Sequence, residues 1–373
     1  MTRNVPAWVL LLCAGWGCVR QGASPAPAAP QAPHGWEMMP TTHLRVQLQP
    51  LGRVPNSGLQ LPAVSPDGEW VAYLQVAPDQ EVQPEGLFSG KGLQAVSLSM
   101  RRVGADGTAQ GICTAGACWP AWSADSRRLA FVAYQDSGRC ELCIHNLTTG
   151  KTRRTAVGLK HLLAPVFSPS GCYLAVAGSN LPDQSQLHIF DPSTAELQAG
   201  PPAKGAHQQL WPHWVDDRTL VYLAHEDDGS FLCRWTRGSG VPPERLCQVN
   251  TSSSALGSSQ VFAGLAGPLS PGGRRLAYYD PAADALTLID LADGRKHTLK
   301  TRTQAGCWMG SRRFAAATDK ELFVASPDTS EQAEVMRGPW LPRWANPEAN
   351  QLVLCTRSPE PWTFELVRLQ LNP

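Results

Sequence analysis

The stretch WPAWSADSRRLAFVAYQDSG, from Trp119 to Gly138, decides the fold because it has a near-double in WPHWVDDRTLVYLAHEDDG, from Trp211 to Gly229. Both read Trp-Pro-x-Trp, a polar turn, a Leu-(Ala/Val)-(Phe/Tyr) segment and an acidic turn that ends in Gly. The pattern is either a duplicated active site or one unit of a structural repeat. The pattern recurs along the whole chain, although some copies match it less closely, so we interpret it as a structural repeat.

Seven copies of the repeat are present. They cover residues 61–76, 119–134, 164–179, 211–226, 266–280, 306–318 and 341–356. The position of the second Trp is held in turn by Val64, Trp122, Phe167, Trp214, Leu269, Trp308 and Trp344. A large ring here is expected to fill the wedge between neighbouring units, so this position is predicted to be core.

Each copy continues in the same way, with an alternating strand, a Gly-containing turn and a second alternating strand. Examples are QLHIFDPSTAELQ (186–198) and ALTLIDLADGRKHTL (285–299). Alternation with period two and short Gly turns are hairpin signals, so one unit is four short strands, named a to d. Units of about forty-five residues are the size of a propeller blade. We therefore predict an all-β fold, a single β-propeller.

The blade count follows from how the ring closes. The last copy ends at LVRLQLNP (366–373), which supplies strand c and leaves no chain for strand d. The segment HLRVQLQ (43–49) alternates Leu44, Val46 and Leu48 before the first copy. We predict that this N-terminal strand completes the last blade and removes the exposed edge. Seven blades are preferred, and six are the alternative.

The segments VSPDGEWVAY, WSADSRRLAF, FSPSGCYLAV and LSPGGRRLAY resemble the WD-repeat-like blade of TolB-like periplasmic propellers. The same blade occurs in the non-catalytic propeller of prolyl oligopeptidases. The resemblance covers residues 43 to 373 and concerns the repeat, not one function. It implies a propeller domain over 43–373 that docks partners at the cell envelope.

The N-terminus is interpreted separately from the fold. Residues 1–17 contain the apolar run that starts at Val9, which is typical of a signal peptide. Cys18 follows Gly15-Trp16-Gly17, which resembles the lipobox of bacterial lipoproteins, and residues 18–42 form a Pro/Ala-rich tether. We expect an exported lipoprotein, periplasmic or anchored at the outer membrane through lipid on Cys18. Plain secretion and an intracellular location are the alternatives.

The charge balance of the chain limits the classes of partner that we expect it to bind. The chain has 32 Lys+Arg and 31 Asp+Glu, a formal charge of +1, which does not favour nucleic-acid binding. No cofactor motif is present, so no cofactor is predicted. We expect a monomer that binds a protein or peptide in the envelope and touches the membrane only through its lipid.

Candidate site residues lie where strand d leads into the next strand a and where strand b turns into strand c, which is one rim of the propeller. Trp119, Trp211 and Trp340 are candidates for an aromatic mouth; the alternative is ordinary packing under loops. The charged candidates on this rim are Asp136, His207, His225 and Glu226. No metal site is predicted, because their spacing matches no metal motif.

Eleven cysteines are present, and nine follow Cys18. The predicted disulfides are Cys113–Cys118 and Cys233–Cys247. A zinc site with Cys140 and Cys143 is disfavoured, because residues three apart on a strand point to opposite faces.

No catalytic serine motif of the G-x-S-x-G type occurs, and SGKG (89–92) lacks the P-loop frame. The leading hypothesis is a non-enzymatic scaffold that binds a protein or peptide on the channel rim. The alternative is a propeller hydrolase or lyase, or a small-ligand binder, with its site at the channel mouth. A structural remnant without a ligand is the third possibility.

Overall fold

The computed structural model describes residues 45–104, 108–135, 138–181, 184–203, 205–251, 259–262, 264–303, 305–328, 331–357 and 363–372. The predicted signal peptide (1–17) and tether (18–42), Cys18 and Asp136 lie outside these residues, so what the sequence indicates about them stays a prediction. The domain boundaries also stay predictions.

Twenty-eight strands in the described residues form seven blades around a ring. The first strand, β1 (Arg45–Pro55), belongs to the last blade. Blade 1 contains β2 (Ala63–Val64), β3 (Trp70–Val76), β4 (Val96–Arg102) and β5 (Gln110–Cys113). Blade 2 contains β6 (Ala117–Trp122), β7 (Arg128–Tyr134), β8 (Cys140–Asn146) and β9 (Lys151–Ala156). Blade 3 contains β10 (His161–Phe167), β11 (Leu174–Ser179), β12 (Gln186–Asp191) and β13 (Glu196–Ala199).

The second half of the ring repeats this order. Blade 4 contains β14 (Ala206–Trp214), β15 (Thr219–Glu226), β16 (Gly229–Thr236) and β17 (Glu244–Gln248). Blade 5 contains β18 (Leu265–Ala266), β19 (Arg275–Asp280), β20 (Ala285–Asp290) and β21 (Lys296–Thr301). Blade 6 contains β22 (Ala305–Met309), β23 (Arg313–Ala317), β24 (Glu321–Ser326) and β25 (Glu331–Arg337). Blade 7 contains β26 (Leu341–Ala345), β27 (Gln351–Arg357), β28 (Thr363–Asn372) and β1.

The ring closes as predicted. Strand β1 pairs antiparallel with β28 from Arg45–Asn372 to Pro55–Thr363, so the N-terminal strand is strand d of blade 7. The inner strands of blades 7 and 1, β26 and β2, are also in contact. The prediction of a seven-bladed propeller is confirmed.

Blade 5 departs from the four-stranded unit. Its inner segment is joined to β19 by the bridge Leu269–Leu276 and by the Ala277 amide, which donates to the carbonyl of Pro268 at 2.8 Å. The first part of this segment, β18, pairs in parallel with β22 of blade 6. The counterparts of Pro268 in blades 2 and 4, Ala121 and His213, pair with strand b, whereas a proline has no N–H to donate. The ladder between strands a and b is therefore shorter in blade 5.

The second Trp of the repeat joins neighbouring blades. The indole Nε1 of Trp122 donates to the carbonyl of Ala63 at 2.9 Å, and that of Trp214 to Val166 at 3.1 Å. Trp308 does the same to Pro268 at 2.8 Å. Each acceptor precedes the plug position of the previous blade, so one inter-blade bond is repeated three times. Trp344 instead bonds Pro66 of blade 1 at 2.7 Å, on the exposed side.

Strand direction defines two rims. Strands alternate in direction within a blade, so the b–c turns and d–a connections share one rim, which we call the first rim. The a–b and c–d turns form the opposite rim. The two longest connections, 77–95 and 249–264, both belong to the first rim. The first of them contains the helix α1 (Gly86–Ser89) and a 3₁₀ turn at Leu93–Ala95.

The described part of the chain holds no helix with the length and apolar character needed to cross a bilayer.

Candidate functional site

Three aromatic rings meet over the channel at the first rim. The ring centroids of Trp119 and Trp211 are 5.5 Å apart, and Phe88 lies 5.5 Å from Trp119 and 6.2 Å from Trp211. All three pairs pack edge to face, the arrangement that aromatic quadrupoles favour. Phe88, Trp119 and Trp211 are called the aromatic cap below. The rings come from blades 1, 2 and 4, and they can meet only near the propeller axis.

Backbone bulges place the two tryptophans. The register between strands a and b shifts after Cys118 in blade 2 and after Leu210 in blade 4. Trp119 and Trp211 have φ of 57° and 55°, a region that bulky residues rarely adopt. Blade 3 has the same bulge with Ala164 at φ 46°. Blade 3 lies between the blades of the two tryptophans, and the side chain of Ala164 is only a methyl group. The indoles of Trp119 and Trp211 can therefore meet above it.

Helix α1 brings the third ring to the cap. The indole Nε1 of Trp119 donates to the carbonyl of Leu87 at 3.1 Å, and the Trp119 amide donates to Gln60 Oε1 at 2.8 Å. Trp211 is 7% exposed, whereas Phe88 and Trp119 keep intermediate exposure. Both tryptophans pack beneath α1, and Trp119 keeps more exposure than Trp211, so a binding role for this aromatic mouth stays a prediction.

Phe88 is not among the site residues predicted from the sequence. The available signal was the apolar pair Leu87–Phe88 within an otherwise polar, Pro-rich and Gly-rich insertion.

The two exposed large apolar side chains of the described residues lie on different rims. Leu181, in the b–c connection of blade 3, is 55% exposed on the first rim. Val241, in the c–d connection of blade 4, is 64% exposed on the opposite rim.

The charged candidates of blade 4 do not converge on one point. His207 Nε2 lies 2.5 Å from Asp227 Oδ1 at the surface. Glu226 pairs instead with Arg245, which also binds Asp228 at 2.9 Å. Among the described residues, no group of three His, Cys, Asp or Glu side chains is gathered to hold a metal ion.

His225 is buried beneath this surface, with 1% exposure. Its Nδ1 lies 2.7 Å from Ser230 Oγ, and its Nε2 has no partner in the described part of the chain. Burial lowers the pKa of His225 to about 4, so the ring is neutral at neutral pH. A neutral, enclosed imidazole does not contribute charge to the rim.

The remaining candidate, Trp340, lies away from the aromatic cap. Trp340 is 6% exposed and packs in the core of blades 6 and 7, with Met336 and Leu354 among its cluster. In the repeat, Leu341 and not Trp340 occupies the position of Trp119.

Nine cysteines are free thiols in the structure, including those of both predicted disulfides, Cys113–Cys118 and Cys233–Cys247. The pairings stay predictions. Arg154 Nη2 lies 3.6 Å from Cys113 Sγ at the interface of blades 1 and 2. Burial raises the pKa of Cys140 and Cys143 to about 12, so both are protonated thiols at neutral pH.

A charged pocket of about 670 Å³ opens on the first rim between blades 5 and 6. Its lining includes four cationic side chains, Lys300, Arg302, Lys320 and Arg337. Acidic groups are interspersed: Lys300 binds Glu321 at 2.9 Å. The first rim thus combines an apolar centre with charged surroundings.

Comparison with known proteins gives one curated relative and many structural neighbours. No family model matches the chain. The Tol-Pal system protein TolB of Alcanivorax borkumensis is 39% identical over 57 residues, which are 15% of this chain and 13% of TolB. The matched segment therefore spans much less than two thirds of that relative.

The structural neighbours are propellers from different settings. A chain of the mitotic checkpoint complex has a TM-score of 0.57 at 14% identity, covering 95% of this chain and 99% of that one. The β-propeller domain of the Trilobed protease from Pyrococcus furiosus has a TM-score of 0.55 at 13% identity, with coverages of 84% and 94%. That domain is described with an open velcro topology, whereas β1 and β28 close the ring here. The likeness is one of fold, and this chain is a seven-bladed β-propeller similar to TolB-like and WD-repeat-like propellers.

Proposed function

We propose that the protein is a non-catalytic propeller scaffold of the cell envelope, and that it binds a protein or peptide partner on the first rim. The observation that carries the proposal is the aromatic cap at the axis of that rim. Aromatic side chains at the centre of a surface, surrounded by charged groups, are the usual composition of a protein interface.

The backbone of the cap supports the proposal. Two bulky residues, Trp119 and Trp211, are held at positive φ. Such conformations cost free energy, and they concentrate at sites where function requires them. Long loops carry binding functions more often than short turns, and the longest connection that is described throughout, 77–95, belongs to the same rim.

The relatives support a binding role in general terms. One neighbour is a chain within the mitotic checkpoint complex, an assembly of proteins. Others are propellers of peptidases, such as the acylaminoacyl peptidase of Pyrococcus horikoshii, of whose length this chain covers 48%. A scaffold is favoured over an enzyme because the sequence contains no G-x-S-x-G motif and the predicted charged residues His207 and Glu226 are engaged in ion pairs.

The proposal is tested by a matched pair of surface variants. Full-length protein with a C-terminal tag is recovered from cross-linked envelope extracts of its host, and bound proteins are identified by mass spectrometry. Phe88→Ala and Leu181→Ala on the first rim are expected to reduce recovery of a specific partner at least tenfold. Val241→Ala removes a similarly exposed apolar side chain from the opposite rim, so it is expected to retain the partner.

Recovery that is equal in all three variants would contradict docking on the first rim. A soluble hydrolase activity that is lost in Phe88→Ala would instead favour the channel-mouth enzyme.

The envelope location rests on the N-terminal sequence and on the similarity to the Tol-Pal protein TolB. We propose lipid attachment at Cys18, which lies outside the described residues. Metabolic labelling with an alkyne fatty acid is expected to mark the wild type and Cys13→Ala but not Cys18→Ala. Equal labelling of the two variants contradicts the assignment.

A further inference from the structure

Arg343 joins the inner edges of neighbouring blades. It belongs to β26 of blade 7, and its Nε donates to the carbonyl of Pro62 at 3.0 Å, at the entry to blade 1. Its Nη1 donates to the carbonyl of Gly264 at 3.0 Å. Gly264 directly precedes β18, which pairs with β22 of blade 6 and contacts β26, so the guanidinium lies among inner strands that face the channel.

A bulge directs this side chain inward. The pairing of β26 with β27 passes from Pro342–Leu354 to Trp344–Val353, which leaves Arg343 as the extra residue. Bulges re-aim side chains and occur often beside functional sites. Arg343 as a residue keeps intermediate exposure, while protein groups surround its guanidinium.

The charge of Arg343 has no carboxylate partner in the described part of the chain. The ionisable groups that act on it are the thiols of Cys307 and Cys355, whose pKa values burial raises to about 12 and about 11. Both are therefore neutral at neutral pH. A guanidinium has five N–H donors, and the two carbonyls use two of them. An enclosed charge of this kind is costly unless an anion pairs with it.

A second polar group without a partner lies on the inner strand of blade 4. His213 occupies the position of Arg343 in the repeat, and its Nε2 is buried without a hydrogen-bond partner among the described atoms. Its ring packs on Phe262 at 4.6 Å between centroids. Phe262 and Gly264 are two residues apart, at most about 7 Å along the chain. One short segment therefore contacts both His213 and Arg343.

We propose that the channel holds a binding site for one small oxyanion, a carboxylate or a phosphate. The free N–H groups of Arg343 bind it through charge-assisted hydrogen bonds, and Nε2 of His213 supplies a further hydrogen bond. The site lies inside the channel and is independent of docking on the first rim.

Titration calorimetry and thermal melting of the purified full chain test this site. Acetate, succinate and inorganic phosphate are added separately in chloride-free buffer at constant ionic strength. One of them is expected to bind saturably, one per chain, and to raise Tm with concentration. The separate titrations distinguish a carboxylate ligand from a phosphate. Arg343→Gln is expected to weaken this binding at least tenfold.

The matched control is Arg101→Gln. Arg101 also donates to two carbonyls, those of Arg53 at 3.0 Å and Leu51 at 2.7 Å, but between strand c of blade 1 and strand d of blade 7. This variant is expected to keep the anion affinity of the wild type. Should Arg343→Gln fail to fold, ¹⁵N-arginine spectra of the wild type provide the readout, with one side-chain resonance shifting on titration. The proposal is overturned if none of the three anions binds saturably, or if Arg343→Gln binds as the wild type does.

Discussion

At the scale of single residues, His225 shows how burial sets the chemistry of a side chain. The sequence places it beside Glu226 and near His207, which suggests a charged cluster. In the fold, β15 alternates, so His225 points into the blade while Glu226 reaches Arg245 at the surface. The ring is therefore a neutral core group held by Ser230.

This burial predicts a loss of stability in mild acid. The folded pKa of His225 is about 4, below the usual value of 6.5. The neutral ring is thus favoured by folding, and its contribution is complete above pH 6.5. As pH falls from 6.5 to 4, His225 binds a proton in the unfolded chain but not in the folded chain. This difference lowers the free energy of unfolding by about 3 kcal/mol.

Urea unfolding between pH 7.5 and 4.5 measures the effect. His225→Gln is expected to show a shallower decline of the free energy of unfolding than the wild type over this range. Parallel declines in the two proteins would show that His225 is not responsible.

At the scale of elements, the inter-blade indole bond is the recurring link. Trp122, Trp214 and Trp308 each tie strand a to the strand a of the previous blade. The blades pack face to face through apolar side chains. This packing alone does not fix how far one blade is shifted, along the strands, relative to its neighbour. A hydrogen bond at the plug position fixes the offset between neighbouring blades.

Trp308→Phe removes this bond where it is buried, since Trp308 is 5% exposed. The loss of the bond and of ring volume is expected to lower the free energy of unfolding by about 2 kcal/mol. Trp344→Phe removes an indole bond on the exposed side, where water replaces it, and is expected to cost less than about 1 kcal/mol. Chemical denaturation of both variants measures the difference; equal losses would mean that the buried bond contributes nothing specific.

At the scale of the whole molecule, stability depends on closure by β1. Leu51 and Val54 of this strand are 2% and 1% exposed and pack against Tyr73 and Leu366 of blades 1 and 7. The strand also covers the edge of β28, which would otherwise be open to association with other chains.

Deleting residues 1–55 is therefore expected to lower the free energy of unfolding by about 3 kcal/mol or more, because two fully buried aliphatic side chains are lost. It is also expected to promote oligomers through the free edge of β28. Deleting residues 1–42 is the control and is expected to leave the urea midpoint unchanged. Equal midpoints for the two deletions, with a monomeric longer deletion, would refute the dependence on closure.

Much of the fold was accessible from the sequence because the repeat is local. The plug position, the hairpin turns and the closing strand each follow from patterns within one unit, and the structure confirms seven blades. Pro268 was visible in the sequence, but its effect on blade 5 depends on which neighbour its strand then joins.

The sequence by itself determined the repeat, favoured seven blades over six and indicated the strand that closes the ring, since alternation and turn residues act over a few positions. Only the tertiary structure decided which residues share the axis. Phe88 meets Trp119 and Trp211, and Arg343 reaches Pro62 and Gly264, across large separations in the chain. Ring closure brings equivalent positions of different blades to one centre, and bulges turn their side chains inward. Neither ring closure nor the inward turn of a side chain at a bulge can be recognised from the sequence of a single repeat.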